Sequence, residues 1–286
     1  MRFGVSTHVF HAERLDREHL VEIAVRGFDA IELFATRTHF DYHAPRAIEA
    51  LAEWLADTRL TLHSVHAPIA AGLTAGAWGE PYSTAAADEA RRQRALAEAD
   101  AALAVAATVP YKYLVVHLGV PEAMAPPSGD NLRDAARRSV EVLHERAAAA
   151  GIALALEVIP NALSTPEALV RLLEDDLDLS GAGICLDVGH AHLAGDVGEA
   201  VEACSGYVLT THLHDNRKRA DDHLVPYEGT IDWDHALLAL QKVGYEGAWM
   251  FEVAGADDPR AVLDRTARAR ARFEQALGWT EEMTGD

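Results

Sequence analysis

A chain of 286 residues, 49% hydrophobic, is long enough to bury one large α/β core or two smaller ones. Its 45 acidic and 25 basic residues leave a formal net charge of −20, which repels phosphate backbones and acidic membrane surfaces and disfavours nucleic acid as a partner. The two cysteines, Cys185 and Cys204, form no C-x-x-C or paired spacing, which argues against a disulfide framework or thiolate zinc site and makes a reducing cytoplasm the expected location.

The chain opens Met1-Arg2-Phe3-Gly4-Val5, straight into strand-like sequence with no charged leader and long apolar run, so neither export nor a membrane span is expected. Phe3–Thr7 is the first strand candidate and Leu15–Arg26 the helix behind it. The alternation continues with strand Ala30–Ala35 and helix Arg46–Thr58, strand Leu60–His66 and helix Thr84–Thr108, and strand Tyr113–Gly119 and helix Asn131–Ala150. Strands Ile152–Ile159, Gly183–Val188, Val208–His214 and Ala248–Val253 follow, backed in turn by helices Pro166–Asp175, Val197–Cys204, Trp233–Lys242 and Pro259–Leu277. Asp16, Asp130, Thr165, Asp196, Asp232 and Asp258 stand where a short side-chain oxygen caps the first free N–H groups of a helix. Eight βα pairs without a linker or composition break predict a single (β/α)8 barrel over residues 1–286. An open doubly wound sheet is disfavoured, because no Gly-rich dinucleotide turn follows the first strand. The Gly/Pro-rich stretches Ala70–Pro81 and Pro121–Gly129 fall after the third and fourth strands, where such barrels carry active-site loops.

Barrel strands are apolar inside, yet these end in ionisable residues: Glu32, His66, His117, Glu157, Asp187, His212 and Glu252. One such residue is ordinarily satisfied by a hydrogen bond. Seven converging on one face cannot all be buried ionised without a cation, and a divalent metal is the simplest neutraliser. Carboxylates and imidazoles without thiolates suit Mn2+, Zn2+, Co2+ or Fe2+. His190 follows Asp187 by three residues, near enough to reach the same or a neighbouring ion. His212 and His214 share one face by strand parity; His212 is the favoured ligand, while His214 and Asp215 either orient it or act directly.

The segments Val65-His66-Ala67-Pro68, Leu156-Glu157, Leu186-Asp187-Val188-Gly189-His190, His212-Leu213-His214-Asp215-Asn216, Gly229-Thr230-Ile231-Asp232 and Phe251-Glu252 together resemble the xylose isomerase-like TIM-barrel superfamily of sugar phosphate isomerases and epimerases, along the whole chain. The resemblance implies that Glu157, Asp187, His212 and Glu252 hold one divalent metal and that Glu157 and Glu252 also flank the substrate carbon. The superfamily includes the endonuclease IV type of AP endonucleases, whose three zinc ions imply additional ligands at His66, His117, His190, Asp221 and His223, giving one to three ions. The chemistry implied is proton transfer through a metal-stabilised enediolate, in an isomerase or epimerase acting on a sugar, sugar phosphate or keto-sugar. His190, Arg217, His214, Glu32 and the histidines of the third and fourth strands, His66 and His117 among them, are the expected substrate contacts, with Trp78, Trp233 or Phe34 as apolar walls. A keto-inositol or sugar-acid dehydratase uses nearly the same chemistry. A multi-zinc phosphodiesterase is disfavoured by the net charge and by the shortness of the basic run Arg217-Lys218-Arg219. The complete Glu/Asp/His/Glu set argues against a barrel that binds without catalysis. A small sugar-derived molecule is the expected partner, with homo-oligomerisation left open.

Overall fold

Runs such as Ala-Ile-Glu-Leu-Phe and Gly-Ile-Cys-Leu-Asp are too apolar for a half-exposed sheet, and burying both faces requires helices outside and packed side chains inside. In a computed structural model, which describes residues 3–124, 126–127, 129–176, 179–255 and 258–278, eight such runs form parallel strands that close into a barrel. They are β1 (Phe3–Ser6), β2 (Ala30–Phe34), β3 (Thr61–His66), β4 (Tyr113–Val116), β5 (Ala153–Glu157), β6 (Gly183–Asp187), β7 (Val208–Leu213) and β8 (Trp249–Phe251). Each pairs with its chain neighbours and β1 closes on β8, so the expected (β/α)8 barrel is present. The expected span 1–286 includes residues outside those described.

The outer ring consists of α1 (Arg17–Ala24), α2 (Pro45–Thr58), α3 (Glu89–Leu103), α4 (Arg133–Ala149), α5 (Pro166–Arg171), α6 (Val188–Ala194), α7 (Val197–Ala203), α8 (Trp233–Lys242) and α9 (Pro259–Ala276). The carboxylates of Asp16, Asp196, Asp232 and Asp258 and the hydroxyl of Thr165 accept from backbone N–H groups three residues on, as their spacing predicts. Asp130 does not cap. Its carboxylate takes the Arg91 guanidinium at 2.8 Å, and α4 starts only after Leu132. Helix α9 buries Val262, Leu263, Thr266, Ala269 and Phe273 along one face, and Phe273 packs against Trp233, Trp249 and Phe251. Each large side chain so buried contributes about 1.5–3 kcal/mol.

Two elements depart from the expected pattern. The strand expected to reach Val188 stops at Asp187, whose carboxylate caps α6 by accepting from His190 N at 2.7 Å. That cap turns the chain so that His190 rises beside the strand end. The loop after β3 contains a hairpin, Leu73–Thr74 against Ala77–Trp78, turning at Ala75 and Gly76, both at positive φ. The third strand ends at His66 as expected, and the remaining strands end one to three residues earlier than periodicity alone predicts.

Candidate metal centre

At the C-terminal ends of β5 to β8, one ligand atom each from Glu157, Asp187, His212 and Glu252 lies within 4.8 Å of the others. His212 Nδ1 is the hub, 3.1 Å from Glu157 Oε1, 3.3 Å from Glu252 Oε2 and 3.8 Å from Asp187 Oδ2. Its ring is turned that way from behind. Nε2 lies 3.0 Å from Glu32 Oε2, which also accepts from Ser64 Oγ at 2.8 Å. With the Nε2 proton directed at Glu32, the Nδ1 lone pair faces the three carboxylates, the arrangement of a carboxylate-oriented metal ligand.

Two further groups adjoin the first. His66 Nε2 and His117 Nε2 lie 2.9 Å and 3.0 Å from the second oxygen of Glu157, so that carboxylate bridges two groups. On the other side, Asp221 Oδ2 lies 3.0 Å from His190 Nε2 and 3.2 Å from His223 Nε2. In all three histidines whose second nitrogen is bonded, that atom is Nδ1 and its partner is a main-chain carbonyl: Ala67 for His66 at 2.9 Å, Val158 for His190 at 3.0 Å and Glu252 for His223 at 2.8 Å. A carbonyl can only accept, so Nδ1 carries a hydrogen in each; the protonated ring donates from Nε2 to the shared carboxylate, and the neutral ring would offer its Nε2 lone pair to a cation there. Tetrahedral zinc with ligands at about 2.0–2.1 Å sets them roughly 3.3 Å apart, close to the Asp221 spacings.

The donor set suits a divalent cation. Glu157, Asp187 and His212 are fully buried and Glu252 nearly so, and three carboxylates against one imidazole is an excess of buried negative charge. Protonated imidazoles balance it here. Burial pushes His66 and His190 down, but the carboxylates facing them outweigh it: Glu157 above all holds His66 at about 9, and Asp187 and Asp221 hold His190 at about 10. Burial likewise lowers His223, and Asp221 outweighs it and raises the imidazole to about 9. Burial would raise Glu157, yet His117, His212 and His66 hold it well below the usual carboxylate range.

His214 stacks on His223 at 3.9 Å between ring centroids, and its Nε2 lies 3.0 Å from Asp187 Oδ1. Its Nδ1 is buried without a partner, and its place exists only because residue 189 is glycine: a Cβ there would lie 2.1 Å from the ring. Asp215 organises the following loop, accepting from Trp233 Nε1, Tyr227 N and Ile231 N.

A cavity of about 390 Å³ opens above these groups, lined by His66, His117, Glu157, His190, Asp221, His223 and Glu252, whereas Asp187 and His212 lie beneath its surface. Among the expected substrate contacts His190, His66 and His117 line it. Glu32 and His214 are fully buried, and Arg217 is exposed and donates to the Glu228 carbonyl at 3.2 Å. The side chain from that basic run that does line the cavity is Arg219. Of the expected apolar walls, Trp78 and Phe34 line it, while Trp233 is 1% exposed and packs under α9. His8 and His11, which sequence reasoning passed over, lie on the 3-10 turn after β1, their rings stacked at 4.5 Å, and both line the cavity. The rule that located the other residues, polar groups just past a strand end, applied equally to Ser6-Thr7-His8.

A family model described as a xylose isomerase-like TIM barrel matches residues 20–283. An uncharacterized protein of Methanocaldococcus jannaschii is 32% identical over 260 residues, covering 88% of this chain and 83% of its own. A solved D-tagatose 3-epimerase-like protein is 26% identical with a TM-score of 0.78, and the match covers 100% of both chains. The IolI protein, solved with a bound zinc atom, is 17% identical with a TM-score of 0.74, covering 98% of this chain and 100% of that one, a likeness of fold alone.

Proposed function

The chain belongs to the xylose isomerase-like TIM-barrel family, and from that premise we propose that it is a metal-dependent sugar isomerase or epimerase working by proton transfer at a carbon beside a carbonyl. The observation that carries the reading is the division of the four-residue group: Asp187 and His212 lie beneath the cavity surface, whereas Glu157 and Glu252 form part of it. A substrate carbon can therefore meet two carboxylates, and β6 and β7 stand between their strands. The D-tagatose 3-epimerase-like structure, similar over the whole chain, supports the same class.

Glu157, Asp187, His212 and Glu252 would hold the ion, manganese, zinc, cobalt or iron by the chemistry of the set. When bound it supplies positive charge beside a carbonyl oxygen and so acidifies the adjacent C–H. One glutamate removes that proton and the other returns it from its own side, which inverts the carbon. His190 and His8 line the cavity and offer imidazole contacts to hydroxyls. The two buried, unpaired cysteines are compatible with a reducing cytoplasm, and among the described residues no helix is long and apolar enough to cross a membrane. Candidate ketoses, sugar phosphates and keto-inositols incubated with the manganese-loaded protein in D2O should gain carbon-bound deuterium, followed by NMR. Phosphate ester hydrolysis without carbon deuteration would overturn the assignment, and loss of water from the product would shift it to a dehydratase.

One observation favours a second reading. The groups around His66 and His117 and around Asp221 are unnecessary for a one-metal epimerase, and an ion at His66 and His117 beside one in the four-residue group would engage both Glu157 oxygens, leaving that residue a ligand to two ions instead of a base. Metal analysis of protein purified without chelator separates the two, one ion per chain supporting proton transfer and three zincs supporting phosphodiester cleavage.

Glu32 acts in this scheme by holding His212, not by touching substrate. Glu32→Gln should weaken binding of manganese or zinc by roughly 10–100-fold, read by calorimetric titration of the stripped protein. An unchanged Kd would show that other contacts orient His212.

A further inference from the structure

The cavity changes chemistry between floor and rim. Its floor is ionisable, made of Glu157, Glu252, His66, His190 and His223. Its rim is largely apolar and comes from three places: Phe34 at the end of β2, Trp78 on the hairpin after β3, and Val120, Pro121 and Met124 after β4. Trp78 is held from behind and beside. The His11 ring lies 5.8 Å away at an interplanar angle of 15°, and the Phe34 ring meets it edge-on at 6.2 Å. His11 is fixed in turn by donating from Nδ1 to the His8 carbonyl at 2.7 Å. The hairpin is tied down where Leu73 N donates to Thr38 Oγ1 at 3.0 Å and where Gly79 N donates to the Gly72 carbonyl at 2.8 Å. Met124 is 41% exposed, a large apolar side chain left in water.

A free ketose carries a hydroxyl on nearly every carbon. Its reacting end would be satisfied at the floor, but hydroxyls pressed against Phe34, Val120, Pro121 and Met124 would lose water without a side-chain partner there; with His11 Nδ1 already engaged, the polar side-chain atoms among the described rim residues are His11 Nε2, the Trp78 indole N–H, the Tyr82 hydroxyl and the Arg219 guanidinium. Each hydroxyl orphaned this way weakens binding about tenfold or more. A flat apolar ring has the opposite balance, gaining contact area and ring packing on the indole.

We propose that this rim is a second subsite that takes an apolar or aromatic group joined to the sugar, so that the substrate is a glycoside or similar conjugate instead of a free monosaccharide. The inference takes the sugar at the floor from the function proposed above; the rim rests on its own side chains.

The test compares phenyl β-D-glucopyranoside, methyl β-D-glucopyranoside and phenol on the manganese-loaded protein, by calorimetry and saturation-transfer NMR. The phenyl glycoside should bind at least about tenfold more tightly than the methyl glycoside. Trp78→Ala should erase that preference while sparing methyl glycoside affinity, and Trp78→Phe should keep most of it. Equal affinity for the two glycosides overturns the subsite. If phenol alone is saturated at its ring protons, loses that signal in Trp78→Ala and is not displaced by any sugar, the subsite stands and the sugar reading of the floor falls. If no ring-bearing probe binds, the subsite is overturned whatever the floor accepts.

Discussion

Exchanging Glu252 for Gln lowers kcat on the accepted sugar by on the order of 10²–10⁴-fold and leaves the fold in place, because the amide keeps the shape and one acceptor oxygen of the carboxylate. Glu157→Gln loses at least as much, with a difference in kind. Glu157 faces His66 and His117 through one oxygen and His212 through the other, whereas Glu252 faces His212 Nδ1 at 3.3 Å and His223 Nδ1 at 3.8 Å. The Glu157 variant should therefore need more metal for saturation, and excess metal should not restore its rate. In an epimerase, one of the two variants still exchanges a substrate proton with D2O while failing to convert epimers, since one face stays competent. The measurements are kcat at saturating manganese, circular-dichroism melting and deuterium wash-in. Either variant turning over within a few-fold of the parent removes that glutamate from proton transfer.

Stripped of metal, the protein should lose stability as pH rises from about neutrality through 9 to 10, and the metal-loaded protein should not. In the folded chain His66 and His223 are held up at about 9 and His190 at about 10, against an ordinary value of 6.5, by the carboxylates they face. A group raised on folding stabilises fully below its unfolded value and loses that contribution as pH climbs through its folded value. The carboxylates Glu157, Asp187 and Asp221 are held down, so their contribution is present above the usual carboxylate range and lost in acid. The stripped protein is accordingly most stable between these limits. A bound ion replaces the protons, so loading should also release protons into a weakly buffered solution near pH 7. Melting temperatures from pH 6 to 9, with EDTA and with metal, decide the matter. A stripped protein whose Tm is flat or rises over that span would show that the histidines are already neutral.

Much of this barrel is written locally. An apolar run such as Ile184-Cys185-Leu186 followed by the spacing of a helix with an aspartate before it encodes a strand and a capped helix whatever surrounds them, and eight repeats leave little choice but a barrel. Glu157, Asp187, His212 and Glu252 were legible for the same reason: a carboxylate or imidazole closing an apolar strand is out of place unless strand ends meet. The helix at Val188–Ala194 was less legible, because Gly189 and two histidines are indifferent helix formers and the Asp187 cap decides.

The kind and order of the elements, and the residues that stand where strands finish, are therefore legible from local sequence. What each of those residues faces depends on the closed barrel. Glu32 and His212 are 180 residues apart in the chain, and their contact depends on closure of the sheet and on the register shift at Ile31/Glu32. The same long-range geometry turns Arg217 outward while Arg219 lines the cavity, brings His8 and His11 beside Trp78, and opens at Gly189 the space that His214 fills. The physical reason is that periodicity and caps act within a few residues, whereas the stagger of a closed barrel is set by all eight strands together.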